Sequence, residues 1–299
     1  MKHLISMRDL SKNDILHFIE TAELIEKGKM KPNLKGKLAA LLFFEPSTRT
    51  RFSFESAMKK LGGETLTMSG TGTTSAKKGE SFADTIKTIS QYADILVIRS
   101  VLEGASRYAS EIVSIPVVNA GDGANQHPTQ ALLDLYSIVK TQGTLENITI
   151  AIIGDLKFGR TVHSLVYGLS YFSPRFYFIS PLHLSLPEHI KNELHSKNII
   201  FEEGREIDNL VNKLDIMYVT RIQKERFADP EEYEKLKGSY QITSNILNNV
   251  KGNFKILHPL PRVNEITTEV DNTPYAYYFE QAKNGLYMRQ SIISMLLLT

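Results

Sequence analysis

Apolar runs recur along the chain, and several are followed by apolar residues at helical spacing. The runs predict strands over residues 38–44, 94–99, 116–119, 148–153, 176–179, 216–219 and 254–257. After the first, Phe54, Ala57, Met58 and Leu61 fall at i, i+3, i+4 and i+7, the stripe of one helix face. Phe82, Ile86 and Ile89 mark a second helix, and Ala131, Leu132, Leu135, Ile138 and Val139 a third. A long final helix spans residues 277–298 and is apolar toward its end. Repeated strand-then-helix order predicts an α/β protein of parallel sheets with helices on both faces. Gln142-Gly143-Thr144 interrupts the pattern, and a second set of strands begins just beyond it. The expectation is two domains, residues 1–142 and 143–283, each a parallel sheet flanked by helices. The C-terminal helix, about 284–299, is expected to pack back on the first domain. In such folds ligands bind beyond the C-terminal ends of the strands, which predicts an active-site cleft between the domains.

Polar clusters stand where that rule places them. Phe44-Glu45-Pro46-Ser47-Thr48-Arg49-Thr50-Arg51 joins the first strand to its helix. A helix N-terminus offers unpaired N–H groups and partial positive charge. Ser and Thr add neutral donors, and Arg adds a planar fork matched to phosphate oxygens. Helix capping by Ser47 or Thr48 explains one hydroxyl. It leaves two guanidiniums and the other hydroxyls unexplained, so this segment is a candidate phosphate site. Arg99 ends another strand, and a polar run containing His127-Pro128-Thr129-Gln130 follows a third. In the second half, Arg160, Thr220-Arg221-Ile222-Gln223 and His258-Pro259-Leu260-Pro261-Arg262 stand at strand ends.

Composition narrows the field. The 299 residues are 42% hydrophobic and 23% charged, as in a globular protein. A net charge of +2 gives no reason to expect nucleic acid or a membrane as partner. Zero cysteines exclude disulfides, thiolate metal sites and a Cys nucleophile. The first residues lack a signal-peptide pattern, and no apolar run approaches about 18 residues. A cytoplasmic protein is expected. Gly154-x-x-x-x-Gly159-Arg160-Thr161 nearly spells a P-loop, but Arg stands where that motif has Lys.

Taken together, Ser47-Thr48-Arg49-Thr50, Lys77-Lys78-Gly79-Glu80, Arg99, His127-Pro128-Thr129-Gln130 and His258-Pro259-Leu260-Pro261 resemble the aspartate and ornithine carbamoyltransferase family. The resemblance covers most of the chain. Pro259 replaces the cysteine typical of the ornithine branch, and residues 154–160 and 220–226 are similar to the aspartate branch. The resemblance implies carbamoyl transfer from carbamoyl phosphate to the amine of L-aspartate, a step of pyrimidine biosynthesis. It assigns carbamoyl phosphate to the first domain and aspartate to the second.

Residue roles follow from that resemblance. Ser47, Thr48, Arg49, Thr50 and Arg99 would hold the phosphate. Thr50, Arg99 and His127 would face the carbonyl oxygen, while Gln130 and the main-chain carbonyls of Leu260 and Pro261 would orient the carbamoyl NH2. Arg160 and Arg221, with Gln223 beside them, would take the aspartate carboxylates. Lys78 and a hydroxyl, Ser75 in preference to Thr74, would come from a neighbouring subunit, which implies a homotrimer with shared active sites. Glu45 would pair with Arg160 or Arg226. No metal and no cofactor is expected. Separate zinc-containing regulatory chains are a further partner that the family admits. Two alternatives stay open at this point: another acceptor amine, or a non-catalytic phosphate-binding regulatory module.

Overall fold

The computed structural model describes residues 1–70, 79–207, 210–222 and 240–298. The chain divides into two compact units, Met1–Leu133 with Lys283–Thr299, and Asp134–Ala282. Each is built on one parallel sheet.

In the first unit, strands β1 (Leu38–Phe43), β2 (Glu64–Ser69), β3 (Ile95–Ser100) and β4 (Val117–Asp122) lie in the order β2-β1-β3-β4. Helices α1 (Lys12–Glu26), α2 (Thr48–Lys60), α3 (Phe82–Ile89) and α4 (Ala105–Ile112) accompany them. β1 reads Leu-Ala-Ala-Leu-Leu-Phe and is buried at every position but the first. Such continuous apolarity is what a parallel strand covered on both faces needs. Alternate residues divide between the faces. Ala40, Leu42, Leu96 and Ile98 meet Ile86 of α3 and Ala109 of α4 in one cluster. Each large apolar side chain so buried stabilises the fold by about 1.5–3 kcal/mol. α1 is stopped at its start by a reciprocal cap, Ser11 with Asp14. The outer edge of β4 is covered by the N-terminal segment, where Leu4 pairs in parallel with Val118.

α5 (Pro128–Gln142) starts in the first unit and ends in the second. The second sheet contains β5 (Thr149–Ile153), β6 (Arg175–Ile179), β7 (Ile200–Gly204), β8 (Ile216–Val219) and β9 (Lys255–Leu257), in the order β7-β6-β5-β8-β9, all parallel. α6 (Arg160–Leu169) follows β5 and is buried at every residue except Thr161. α7 (Glu188–Ser196) lies between β6 and β7 in the chain. One sheet face packs Ala151, Ile153, Tyr177, Ile179, Met217, Val219 and Ile256 against Val211, Phe254 and Tyr278. The last helix, α8 (Tyr278–Leu298), returns to the first unit. There the Ser291 hydroxyl donates to the Phe18 carbonyl at 2.9 Å, and Arg289 Nη1 donates to Ser53 Oγ at 2.9 Å.

The seven predicted strands are all present, and the α/β class holds. The two unpredicted ones, β2 and β7, are outermost in their sheets. Their polar positions, Glu64-Thr65 and Glu202-Glu203, kept them from reading as apolar runs. Among the described residues no helix is long and apolar enough to cross a membrane.

At the end of β5, Gly154 has φ +114°, and a Cβ there would lie 2.2 Å from the Thr220 carbonyl oxygen. Both the backbone conformation and the contact exclude a side chain. Gly154→Ala is expected to cost about 2–5 kcal/mol, from left-side backbone strain plus overpacking. Gly252→Ala, with nothing within 4 Å, serves as the control and should stay within about 0.5 kcal/mol. Denaturant unfolding of the two variants checks this.

Candidate active site

Parallel pairing sets the C-terminal ends of β1, β3 and β4 along one edge of the first sheet. Phe43 is in register with Arg99, and the Arg99 carbonyl accepts the Phe44 N–H at 2.9 Å. The chain then turns through Glu45 and Pro46 into α2. Ser47 takes the N-cap position with extended backbone, φ −158° and ψ 102°, yet its side chain makes no capping bond. The cap hydroxyl is therefore not consumed by the helix it precedes. Thr48 and Arg49 are exposed, Ser47 is half-buried and Thr50 is buried. The N–H groups of a first helical turn lack intrahelical acceptors, so donors and positive potential converge at this corner. Arg51 departs from the cluster and lies over the exposed Phe52 ring, 4.8 Å from its centroid.

Arg99 reaches the same corner across a β-bulge. Ile98 pairs with Asn119 but Ser100 pairs with Asp122, so β4 carries one extra residue at this point. The bulge frees the Ala120 carbonyl, which accepts from Arg99 Nη1 at 3.2 Å. Arg99 Nε stands 3.2 Å from Glu45 Oε2. Glu45, expected to pair with Arg160 or Arg226, thus lies beside Arg99 within its own unit, and Arg226 falls outside the described residues.

Beyond β4, the turn into α5 is built around Asp122, which is 1% exposed. Its Oδ1 accepts from Asn119 Nδ2 at 2.9 Å and the Gln126 N–H at 3.0 Å. Oδ2 accepts from the Gly104 N–H at 2.9 Å and Asn125 Nδ2 at 3.1 Å. Four donors on one buried carboxylate fix the loop that delivers His127 to the start of α5. His127 is buried, and its carbonyl accepts the Gln130 N–H at 3.0 Å. Thr129 Oγ1 approaches His127 Nδ1 at 3.4 Å. Gln130 is also buried. Sequence reasoning assigned nothing to Asp122, although it lies within the polar run that ends at Gln130.

In the second unit, the loop after β5 is folded on Asp155. That carboxylate is fully buried and its Oδ1 accepts the Phe158 N–H at 2.9 Å. An acidic side chain thus occupies a donor that a P-loop offers to phosphate. His163 Nε2 lies 2.9 Å from the Leu156 carbonyl and ties the loop to α6. Arg160, the first residue of α6, is 8% exposed, a rare burial for a guanidinium. Arg221, just beyond β8, is half-buried. It lines a pocket with Gly154, Thr220, Ile222, Tyr240, Val263, Asn264 and Glu265. Burial pushes the Tyr240 phenol up to about 12, so it stays protonated and can donate.

The loop after β9 holds Leu260 and Pro261, joined by a cis peptide bond. Leu260 itself has φ +57°. His258 secures this loop. Its Nδ1 accepts the Leu260 N–H at 2.8 Å, which leaves the ring proton on Nε2, 2.7 Å from Glu265 Oε1. Glu265 Oε2 accepts the N–H groups of Val263 and Asn264 at 3.0 and 3.1 Å. Burial alone would raise the Glu265 carboxyl. The His258 and backbone donors prevail and hold it below its ordinary value. Sequence reasoning used His258 only as a motif marker and missed Glu265.

Within each unit the predicted residues gather at strand ends: Ser47, Thr48, Arg49, Thr50, Arg99, His127 and Gln130 in the first, Arg160, Arg221, Leu260 and Pro261 in the second. Ser75, Thr74, Lys78, Gln223 and Arg226 lie outside the described residues.

Comparison with known proteins gives a consistent picture. Residues 2–140 match the model of the aspartate/ornithine carbamoyltransferase carbamoyl-P binding domain. Residues 146–296 match the family's Asp/Orn binding domain. The aspartate carbamoyltransferase catalytic subunit of Azobacteroides pseudotrichonymphae is 54% identical over 98% of this chain and 97% of its own length. The catalytic subunit of the Methanocaldococcus jannaschii aspartate transcarbamoylase superposes with TM-score 0.91 at 52% identity, over 100% of this chain and 98% of the other. The Trypanosoma cruzi aspartate transcarbamoylase, crystallised with carbamoyl phosphate and aspartate, gives TM-score 0.92 at 37% identity, over 99% and 97% of the two chains.

The His258–Glu265 pair makes a pH prediction. Glu265 is depressed in the folded state, so its contribution is complete above its ordinary value of 4.5 and fades as pH falls through the lowered folded value. Glu265→Gln should lose about 1–3 kcal/mol at pH 7, because one of the buried donors then faces an amide NH2. The gap between wild type and variant should narrow below about pH 4.5. Urea midpoints from pH 7 to 3 measure it, and a constant gap would refute the linkage.

Proposed function

The chain belongs to the aspartate/ornithine carbamoyltransferase family, and from that membership we propose that it transfers the carbamoyl group of carbamoyl phosphate to the amine of L-aspartate. The products are N-carbamoyl-L-aspartate and phosphate, and the reaction serves pyrimidine biosynthesis. The observation that carries this reading is the corner at the start of α2, where the cap hydroxyl of Ser47 is left to other partners.

The division of substrates follows the division of the chain. Residues 1–142, with the C-terminal helix about 284–299, take carbamoyl phosphate, and residues 143–283 take aspartate. The phosphate dianion is assigned to Ser47, Thr48, Arg49, Thr50 and Arg99. A charge-assisted hydrogen bond contributes roughly 1.5–3 kcal/mol, so several can bind and orient so small an anion. The amine nitrogen attacks the carbamoyl carbon, and negative charge develops on the carbonyl oxygen. Thr50, Arg99 and His127 are assigned to that oxyanion, which their donors would stabilise. Gln130 and the carbonyls of Leu260 and Pro261 are assigned to the carbamoyl NH2. Arg160 and Arg221, with Gln223, are assigned to the two aspartate carboxylates. As the C–N bond forms, the C–O bond to phosphate breaks, and the departing phosphate takes the amine proton. Orientation of two bound reactants supplies roughly 7–11 kcal/mol, so no covalent intermediate is needed.

The relatives' names favour aspartate over another acceptor, and catalysis over a silent binding module. The assembly is proposed as a homotrimer in which Ser75 and Lys78 of one chain complete the neighbour's site. Zinc-containing regulatory chains are a further candidate partner, and the cytoplasm is the expected location.

Purified protein without added metal should form carbamoyl-aspartate and release phosphate, with ornithine a poor acceptor. Arg49→Ala should abolish carbamoyl phosphate binding. Arg221→Ala should raise the aspartate requirement steeply, about 100-fold, and leave carbamoyl phosphate binding near wild type. Equilibrium binding and steady-state kinetics test both variants. Equal rates with ornithine, or equal loss of carbamoyl phosphate binding in the two variants, overturns the assignment.

Shared sites are tested by hybrids. Lys78→Ala and Arg221→Ala should each be nearly inactive. In a cyclic trimer that takes Lys78 from one chain and Arg221 from the next, every mixed trimer has one intact site. Random equal mixing should therefore restore about one quarter of wild-type activity, by counting over a closed ring. Activity at the parental level in mass-verified mixed trimers rules the shared site out.

A further inference from the structure

The apolar run Ala131-Leu132-Leu133-Asp134-Leu135-Tyr136 on α5 contains one carboxylate, and it is fully buried. Both of its oxygens are engaged. Tyr218, on β8 and also fully buried, donates its phenolic O–H to Asp134 Oδ2 at 2.8 Å. Gln281, on α8 and 1% exposed, donates Nε2–H to Asp134 Oδ1 at 2.7 Å. Burial, the Asp134 charge and its hydrogen bond hold the Tyr218 phenol well above its ordinary value, so it remains a donor.

Each partner passes the constraint on. The Thr161 hydroxyl hydrogen-bonds the Tyr218 phenol oxygen, and Thr161 is the residue after Arg160. Tyr218 is itself three residues before Arg221 on the same chain segment. On the other side, Gln281 Oε1 accepts the His258 N–H at 2.8 Å. The His258 ring then accepts the Leu260 N–H at 2.8 Å and holds Glu265 at 2.7 Å. One unbroken chain of hydrogen bonds thus runs from the first turn of α6 through Asp134 to the loop of Leu260 and Pro261. All of its members belong to the second unit.

A buried carboxylate in a helix otherwise packed with apolar residues is costly unless its hydrogen bonds are met. Here they are met by groups whose neighbours are the candidate substrate ligands. We propose that Asp134 is a positioning residue, which through Tyr218 and Gln281 sets Arg160 and the Leu260–Pro261 carbonyls in one fixed arrangement for the reaction proposed above. It touches no substrate. Its effect is on attack geometry, where a misplacement of about 1 Å costs on the order of 100-fold.

The experiment uses the full chain and compares wild type, Asp134→Asn, Tyr218→Phe and the double variant. An amide at 134 offers one acceptor and one donor, so it cannot receive both Tyr218 and Gln281. Each single variant should lose about 10–100-fold in kcat/KM for aspartate. Equilibrium binding of carbamoyl phosphate should fall by no more than about threefold, since Arg49 and Arg99, assigned to its charged phosphate, are outside the chain of bonds and only its NH2 is assigned to the Leu260 and Pro261 carbonyls. The double variant should be no worse than the poorer single one, because the two residues act in series. Three results overturn the proposal: aspartate kcat/KM within about twofold in both single variants; carbamoyl phosphate binding lost by the same factor as aspartate turnover; or losses that multiply in the double variant. If Asp134→Asn does not fold, Tyr218→Phe alone decides by the same criteria. A wild type unable to carbamoylate aspartate would sink the functional reading on which this proposal rests. An active wild type with unaffected variants sinks the proposal alone.

Discussion

Parallel register is the constraint on which everything else depends. Phe43 sits opposite Arg99, and Ile153 opposite Val219. Once those pairings are made, every strand of a sheet ends on the same edge. Each chain segment leaving β1, β4 or β5 must then enter its helix at that edge. The helix starts at Thr48, Pro128 and Arg160 are products of this geometry. They bring donor-rich first turns to the places where the anions are assigned. A mixed or antiparallel sheet of the same residues would scatter them to both ends.

Buried polar groups do the fine placement. Asp122 fastens the loop before His127, and His258 with Glu265 fastens the loop of Leu260 and Pro261. Each is nearly inaccessible to water and each of its acceptors is used, so the loops are specified by hydrogen-bond direction and not by apolar packing alone. Among the described residues, ion pairs such as Lys37 with Asp94 and Lys27 with Glu23 are partly exposed. Exposed pairs of that kind contribute about 0–1 kcal/mol, so the stability of the site loops rests on the buried groups.

Much of this was legible in the sequence, and the reasons for the omissions are physical. Central strands are covered on both faces, so β1, β3, β5 and β8 read as apolar runs. β2 and β7 have one free side each and carry Glu and Thr, so no run marks them. Ser47, Arg49, Arg99, His127, Arg160 and Arg221 were visible because strand-end position and residue chemistry point the same way. Asp134 was not. Its partners Tyr218 and Gln281 are 84 and 147 residues away, and only folding brings the three together. Glu265 stands seven residues from His258 in a Pro-containing segment that forms no helix, so the spacing marks no pair until the loop closes. The nearness of Glu45 to Arg99 is equally invisible in the sequence, because the two stand on separate segments that only the pairing of β1 with β3 brings together.

The first unit is discontinuous, because Lys283–Thr299 belongs to it while Asp134–Ala282 does not. The bond from Ser291 to Phe18 spans 273 residues. Synthesis proceeds from the N-terminus at about 5–20 residues per second. The ribosome therefore delivers all of the second unit before the segment that completes the first. The α1 and α2 positions that receive α8, Phe18, Ser53 and Phe54, must wait for their partners while the intervening residues are made. The half of the molecule that is translated first is the half that is finished last, and it is in that interval that the nascent chain has most need of protection from aggregation.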